Sequence, residues 1–187
     1  MTADHTVGSA PARDTSPRPW HTAAGLLLLA SAVFLVVEQA GFRAIEAAVT
    51  ARVVQLVTAG HTNSAGSIVY FGLGTGDVEG IVITTLCSTV VLVTPLLALA
   101  GILLLMPSFR AVRVTFGLLL ALALAAACNL ARYAAAAAAM QRWGRSGFDL
   151  VHEYLGSLLV IFGFAAAFIL LLWIATRRPR SSRRHTA

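Results

Sequence analysis

Lysine is absent from this chain: all 14 basic residues are Arg. Acid is scarce as well, with only 8 Asp and Glu, so charged residues make up 12% of the 187. A soluble domain carries about a quarter. The shortage excludes an ordinary water-facing surface, and the 58% of hydrophobic residues fall in runs without the polar face a soluble helix needs. Cysteine is nearly missing: Cys87 and Cys128 are the two present, with no C-x-x-C. That excludes a disulfide framework. His5, His21, His61, His152 and His185 are scattered, without metal-ligand spacing. Aromatic residues are not interleaved with the Arg clusters, so the sequence pI near 10.6 gives no sign of nucleic acid as a partner. The Arg residues sit at the ends of apolar runs, where membrane topology explains them.

What is present is a series of apolar runs, each long enough for a hydrocarbon core of roughly 30 Å, which takes about 20 helical residues. The fold expected is an all-α polytopic membrane protein with four transmembrane helices, near residues 22–40, 86–106, 114–134 and 151–175. Residues 1–20, rich in Pro, Ala, Ser and Thr, read as a disordered tail; 21–176 read as one transmembrane domain and 177–187 as a basic tail. Ala30-Ser31-Ala32 has the small-x-small form of a signal cleavage site, but the apolar run continues past it, which favours an uncleaved helix. Residues 42–59 have helical periodicity yet carry Arg43, Glu46 and Arg52, which suits an amphipathic helix lying on the membrane surface. Gly72, Gly74 and Gly76 then separate two β-branched stretches, 67–71 and 78–84, the pattern of a short β-hairpin. Pro95 falls inside the second span, where membrane helices tolerate it with a kink. A loop is expected over 141–150.

Orientation follows from the Arg distribution. With both termini in the cytoplasm, the inner segments hold nine Arg and two acids, and the outer segments hold five Arg and six acids. The positive-inside rule selects that arrangement. It puts three chemically distinct residues at one depth. Cys87 opens the second span at its outer end, in the helix's first turn. Arg132 lies ~27 Å along the third span at ~1.5 Å per residue. His152 opens the fourth. A thiol, a guanidinium and an imidazole on three helices thus meet the outer boundary together. A thiolate is a nucleophile whose pKa falls beside a cation or a helix N-terminus. An imidazole can take the thiol proton and return it to a leaving amine, while a permanently charged guanidinium can hold an oxyanion or a substrate carbonyl. Asn129, one turn before Arg132, is placed to orient it. Each residue also has a plain explanation: an apolar-helix Cys as a small packing group, an Arg snorkelling to the interface, a His as a polar helix end. Their common depth is what sets the three apart.

The ordered series Cys87-Ser88, Asn129-x-x-Arg132 and His152-x-x-x-Gly156 resembles the motifs of the exosortase/archaeosortase family of polytopic membrane enzymes. The upstream stretch FRAIEAAVTARVVQLVTAG, followed by a hairpin-like segment running into the Cys, resembles that family too. The likeness covers roughly residues 42–160. It implies Cys87 as nucleophile, Arg132 as essential cation and His152 as the third catalytic member, with Ser88, Asn129 and Gly156 in support. The family often has Cys-Ser-Gly, whereas Thr89 follows Ser88 here, and the chain is short for the family.

The resemblance further implies a cysteine transpeptidase that needs no cofactor. Its substrates would be secreted proteins with a C-terminal recognition motif, a membrane helix and a basic tail, cut at the outer interface and passed to an amine or lipid acceptor. Two other readings of the residues stay open at this level: a thiol redox membrane protein using Cys87 and Cys128, and a non-catalytic membrane assembly protein in which the polar residues only pack helices.

Overall fold

A computed structural model describes residues 19–177; apart from their innermost residues, the tails expected at 1–20 and 177–187 lie outside the described residues. The chain is mostly helical, with one small sheet. Pro19 opens helix α1 (Pro19–Val37), at the position where a missing N–H costs a helix nothing. Helix α2 (Gln39–Val54) follows after one residue. Strands β1 (His61–Ala65), β2 (Ile68–Leu73) and β3 (Glu79–Val82) come next. A 3-10 turn (Thr85–Cys87) leads into helix α3 (Thr89–Leu105). Helix α4 (Ala111–Asp149), a π-helical turn (Leu150–Leu155) and helix α5 (Gly156–Thr176) complete the chain.

The expected hairpin is present as β2 and β3, paired Ile68 to Val82 and Phe71 to Glu79. A third strand, β1, adds to its outer edge through Asn63–Tyr70 and Ala65–Ile68 pairs. The sequence HTNSA gave no strand signal, because its alternating face carries no apolar residue but Ala65. What places it is the adjoining helix: the Gln55 side chain accepts from Thr62 N–H at 2.7 Å and donates to the Gly60 carbonyl at 2.8 Å.

The loop expected over 141–150 is instead helical on both sides of a single break. Gly144, at φ +66°, is the one residue inside α4 off helical geometry. Only glycine takes that φ without strain. The chain reverses there, so that Gly117 lies against Leu171, Cys128 against Gly163 and Arg132 against Gly156. These pairs close symmetrically on the break, which makes α4 and α5 an antiparallel hairpin. Helices α1 and α3 pair separately. At their crossing, a β-carbon on Gly25 would meet the Gly101 carbonyl at 2.9 Å, and one on Gly101 would meet that of Gly25 at 2.9 Å. Small residues at such crossings let two backbones close to the distance that packing in lipid requires.

By length and composition, two helical stretches can cross a membrane: Pro19–Val37 and the folded-back stretch Ala111–Thr176. Thr89–Leu105 is apolar but shorter, at 17 residues. One core, around Leu96, Ala100, Val114, Ala121, Ala167 and Leu171, joins these helices. Their outward faces keep Leu27, Val33, Phe34, Val112, Leu119, Phe162 and Ile169 exposed. Apolar faces of that extent mark contact with another apolar medium, and the chain is accordingly a membrane protein. A second core, around Ala47, Val54, Val69, Phe71, Ile81, Ile83 and Tyr133, fixes α2 and the sheet to the far half of α4. The site lies where the two cores meet.

Candidate active site

Cys87 stands just before α3, not in its first turn as its place in the apolar run suggested. Ser88 is the reason. Its hydroxyl accepts from Val90 N–H at 3.3 Å and makes it the N-cap, a role Ser takes readily. The residue before a cap is outside the helix, so Cys87 ends the 3-10 turn and its side chain is half-buried. Two donors from α4 hold its carbonyl: Tyr133 Oη at 2.7 Å and Asn129 Nδ2 at 3.1 Å.

His152 comes from the π-helical turn between α4 and α5. Widened turns of this kind re-aim side chains and recur at functional sites. Its Nε2 lies 3.8 Å from the Cys87 sulfur. Phe148 stacks on the imidazole, with ring centres 4.9 Å apart and planes 10° apart. Its Nδ1 is buried and has no partner among the described residues.

Arg132 is buried on α4. Its Nη2 donates to the His152 carbonyl at 3.2 Å, and its Nε is buried without a partner among the described residues. Gly156 makes this possible. A β-carbon there would sit 2.6 Å from Arg132 Cγ and 3.1 Å from its Nε, closer than real contacts allow. The guanidinium stem therefore occupies the space a side chain at 156 would take. All six residues singled out in the sequence thus fall in one cluster, with Cys87, His152 and Arg132 linked in that order, but Asn129, expected to orient Arg132, instead holds the Cys87 carbonyl and the Thr89 hydroxyl.

The surroundings act on the thiol. Cys87 is brought down from the ordinary 9.0 to about 7. The hydrogen bond to His152 is the main cause; burial opposes it, while Thr84 and the charges of Arg132 and His152 add to it. At neutral pH a substantial fraction is thiolate, the nucleophilic form. Cys128 is differently placed. Its thiol packs on Gly163, where a β-carbon would lie 2.5 Å from the sulfur, in the seam between α4 and α5. Among the described residues no group of three His, Cys, Asp or Glu side chains is arranged to hold a metal ion.

Sequence reasoning missed Glu46 and Tyr133. Glu46 counted as a surface charge on the amphipathic helix, yet it is buried. Its carboxyl accepts from Ser88 Oγ at 2.6 Å, Thr89 N at 2.8 Å, Thr89 Oγ1 at 2.6 Å and Asn129 Nδ2 at 3.0 Å. Burying a charge-bearing group is costly unless such bonds compensate it. A signal existed: Glu46, Thr50 and Val54 share one stripe of α2, and all three are buried. A charge on a packing stripe is a charge with a partner. Tyr133 gave no signal beyond its place next to Arg132.

Beside Arg132 a cleft of about 310 Å³ opens between α4 and the following turn. Ala135, Ala138, Ala139, Leu155 and Leu159 make it apolar, and Arg142 and Trp143 lie at its margin.

The family model for transmembrane exosortase (Exosortase_EpsH) matches residues 42–173, well over half the chain and inclusive of every residue of the cluster. No curated protein matches the chain, and no solved structure does.

Proposed function

The chain belongs to the transmembrane exosortase family, and we propose on that basis and on the cluster's geometry that it is a membrane-embedded cysteine transpeptidase. The observation that carries the reading is the 3.8 Å approach of Cys87 Sγ to His152 Nε2 beside the buried Arg132. The Cys87 thiolate attacks the carbonyl carbon of a peptide bond, and the negative charge that develops on the carbonyl oxygen is met by Arg132. The C–N bond breaks as His152 gives its proton to the leaving amine. The acyl group stays on sulfur as a thioester. An acceptor amine or hydroxyl then attacks the thioester carbon, its proton passes to His152, and the C–S bond breaks to release the Cys87 thiolate.

The reading includes a topology. Helices α1, α3, α4 and α5 each cross the bilayer, both termini lie in the cytoplasm, and α2, the sheet and Cys87 lie on the outer side. Helix α3 crosses with the help of its flanking turns. Substrates on this reading are secreted proteins with a C-terminal motif, one membrane helix and a basic tail. The scissile bond then lies at the outer interface, level with Cys87. The cleft beside Arg132 offers such a chain, or the hydrocarbon part of a lipid acceptor, an apolar surface next to the guanidinium.

The test is a trapping experiment. A tagged secreted protein carrying such a tail is co-expressed with the wild-type chain and with Cys87→Ala. The reading expects a cleaved product and a hydroxylamine-sensitive adduct on the wild type alone. Equal processing by Cys87→Ala would overturn it.

A further inference from the structure

Glu46 has no part in the chemistry just described, yet it takes more hydrogen bonds than any other side chain around Cys87. Its four bonds reach Ser88, Thr89 and Asn129, which come from two different helices and the cap between them. Ser88 and Asn129 touch the nucleophile's backbone directly, and Thr89 follows one residue on. Ser88 is the next residue. Thr89 is the first residue of α3. Asn129 donates at once to Glu46, to the Thr89 hydroxyl at 3.0 Å and to the Cys87 carbonyl at 3.1 Å. The carboxyl is thus the acceptor on which α2, α3 and α4 converge beneath the Cys87 turn.

We propose that the buried Glu46 and the half-buried Thr89 form a positioning pair that fixes the Cys87 turn against α4 and so sets the approach of its thiol to His152. The proposal deepens the cysteine transpeptidase reading, but its test needs no substrate. It also accounts for Thr89 in place of the glycine common after Cys-Ser. The hydroxyl of Thr89 donates to Glu46 at 2.6 Å and accepts from Asn129, two bonds that glycine lacks. What the pair supplies is acceptor geometry, for which a carboxyl and a carboxamide of the same length are near equivalents. The Ser88 hydroxyl can turn to accept from an amide N–H, while the amide oxygen keeps the remaining donors. A role as acid, base or fixed charge would instead require the carboxyl itself.

The experiment is done on the full chain in native membranes, with Cys128→Ala so that Cys87 is the reporting thiol. Its rate of alkylation by iodoacetamide is followed against pH. In the parent the inflection is expected near 7. Glu46→Ala is expected to move it upward by about one pH unit, with about a fivefold slower reaction at pH 7, because a displaced thiol loses its bond to His152. Glu46→Gln is expected to keep the parent profile. Thr89→Gly should shift the inflection in the same direction by less, and Thr89→Ser should restore it. The double variant Glu46→Ala/Thr89→Gly should go no further than Glu46→Ala, as expected of two residues in one network. A parent-like inflection in Glu46→Ala, or a Glu46→Gln profile as displaced as that of Glu46→Ala, overturns the proposal. If Glu46→Ala does not accumulate, Thr89→Gly against Thr89→Ser decides: no shift in Thr89→Gly overturns it equally. A merely structural pair would lower thermal stability and leave the inflection in place. Failure of the trapping experiment with these profiles intact would count against the transpeptidase and not against the positioning pair.

Discussion

A half-buried thiol becomes a nucleophile through its neighbours, and those of Cys87 act in opposite senses. Burial holds the proton on, while the His152 bond, Thr84 and the nearby positive charges release it. The result, about 7, gives a pH prediction with a definite sign. As pH rises through 7 the thiolate fraction grows, so alkylation of Cys87 should climb with an inflection near 7 and be slow below about pH 6. His152→Ala removes the largest lowering influence, so its inflection should rise toward 9.0. An unmoved inflection would show that the imidazole does not govern the thiol. Arg132 and Cys128 separate the chemistry from its alternatives. Arg132→Lys keeps the charge but loses the planar fork; substrate cleavage should fall at least ~100-fold, the scale of losing one oxyanion donor, whereas a snorkelling Arg would tolerate the change. Cys128→Ala removes a packing group in the α4–α5 seam and should cost about 1 kcal/mol of stability with cleavage intact. A redox pair would lose function with either cysteine. Cleavage assays on the two variants, with thermal melts alongside, make both comparisons.

At the scale of elements, the helices were legible because hydrophobic runs report membrane helices directly, and the hairpin because β-branched residues flank a cluster of glycines. Three features were not. Strand β1 is held by Gln55 of the preceding helix, so its own residues carry little of the information that makes it a strand. The turn at Gly144 reads as a loop because QRWGRSGFDL is polar, yet the chain stays helical on both sides of it and one glycine suffices for the reversal. The N-cap at Ser88 is local chemistry that an apolar run conceals, and it shifted Cys87 out of its helix. Of the candidate site, Cys87, Arg132 and His152 were readable from shared depth and motif order. Glu46 was hidden, because a charge on an amphipathic stretch is by default assigned to water. Gly156 was read only through resemblance, and the structure supplies its cause. It therefore carries a prediction. Gly156→Ala puts a β-carbon 2.6 Å from Arg132 Cγ and 2.8 Å from the Val151 carbonyl, so the guanidinium stem must move. Crowding of this kind typically costs about 1–3 kcal/mol. Cleavage should fall about tenfold or more while Cys87 remains reactive to iodoacetamide. Full cleavage by Gly156→Ala would mean that Arg132 does not need its present position.

For the whole molecule the open variable is which side of the membrane the thiol faces, and the distribution of charge is what argues for the outside. Among the described residues, Arg110 in the turn between α3 and α4 and Arg113 in the first turn of α4 stand with no acid beside them in the sequence. At the opposite end of the helices stand Glu38, Glu46, Asp77, Glu79, Asp149 and Glu153. That end also carries Arg43, Arg52, Arg132, Arg142 and Arg145; the proposed orientation rests on the whole sequence, which sets nine Arg in the turn and the two tails against these five, since positive charge resists translocation and acids have little influence. The architecture adds a second argument. Helix α2 buries Ala47, Ala51 and Val54 against the sheet, yet leaves Ile45 63% and Val49 47% exposed. An apolar face left open on a helix beside the membrane core suits the headgroup boundary, where it can rest on acyl chains. The sheet, α2 and Cys87 then form one outer assembly anchored by the two helical pairs. Single cysteines placed in a Cys87→Ala/Cys128→Ala background test this. Ala65, at the end of β1, and Ser108, between α3 and α4, are both exposed. A membrane-impermeant maleimide applied to intact cells should label Ala65→Cys, and should reach Ser108→Cys only after permeabilisation. The reverse pattern would put the thiol in the cytoplasm, away from any secreted substrate, and the transpeptidase reading would fall with the topology. Labelling of both positions from outside would instead mean that α3 does not cross, since its 17 residues span ~26 Å at ~1.5 Å each and need the flanking turns to complete the passage.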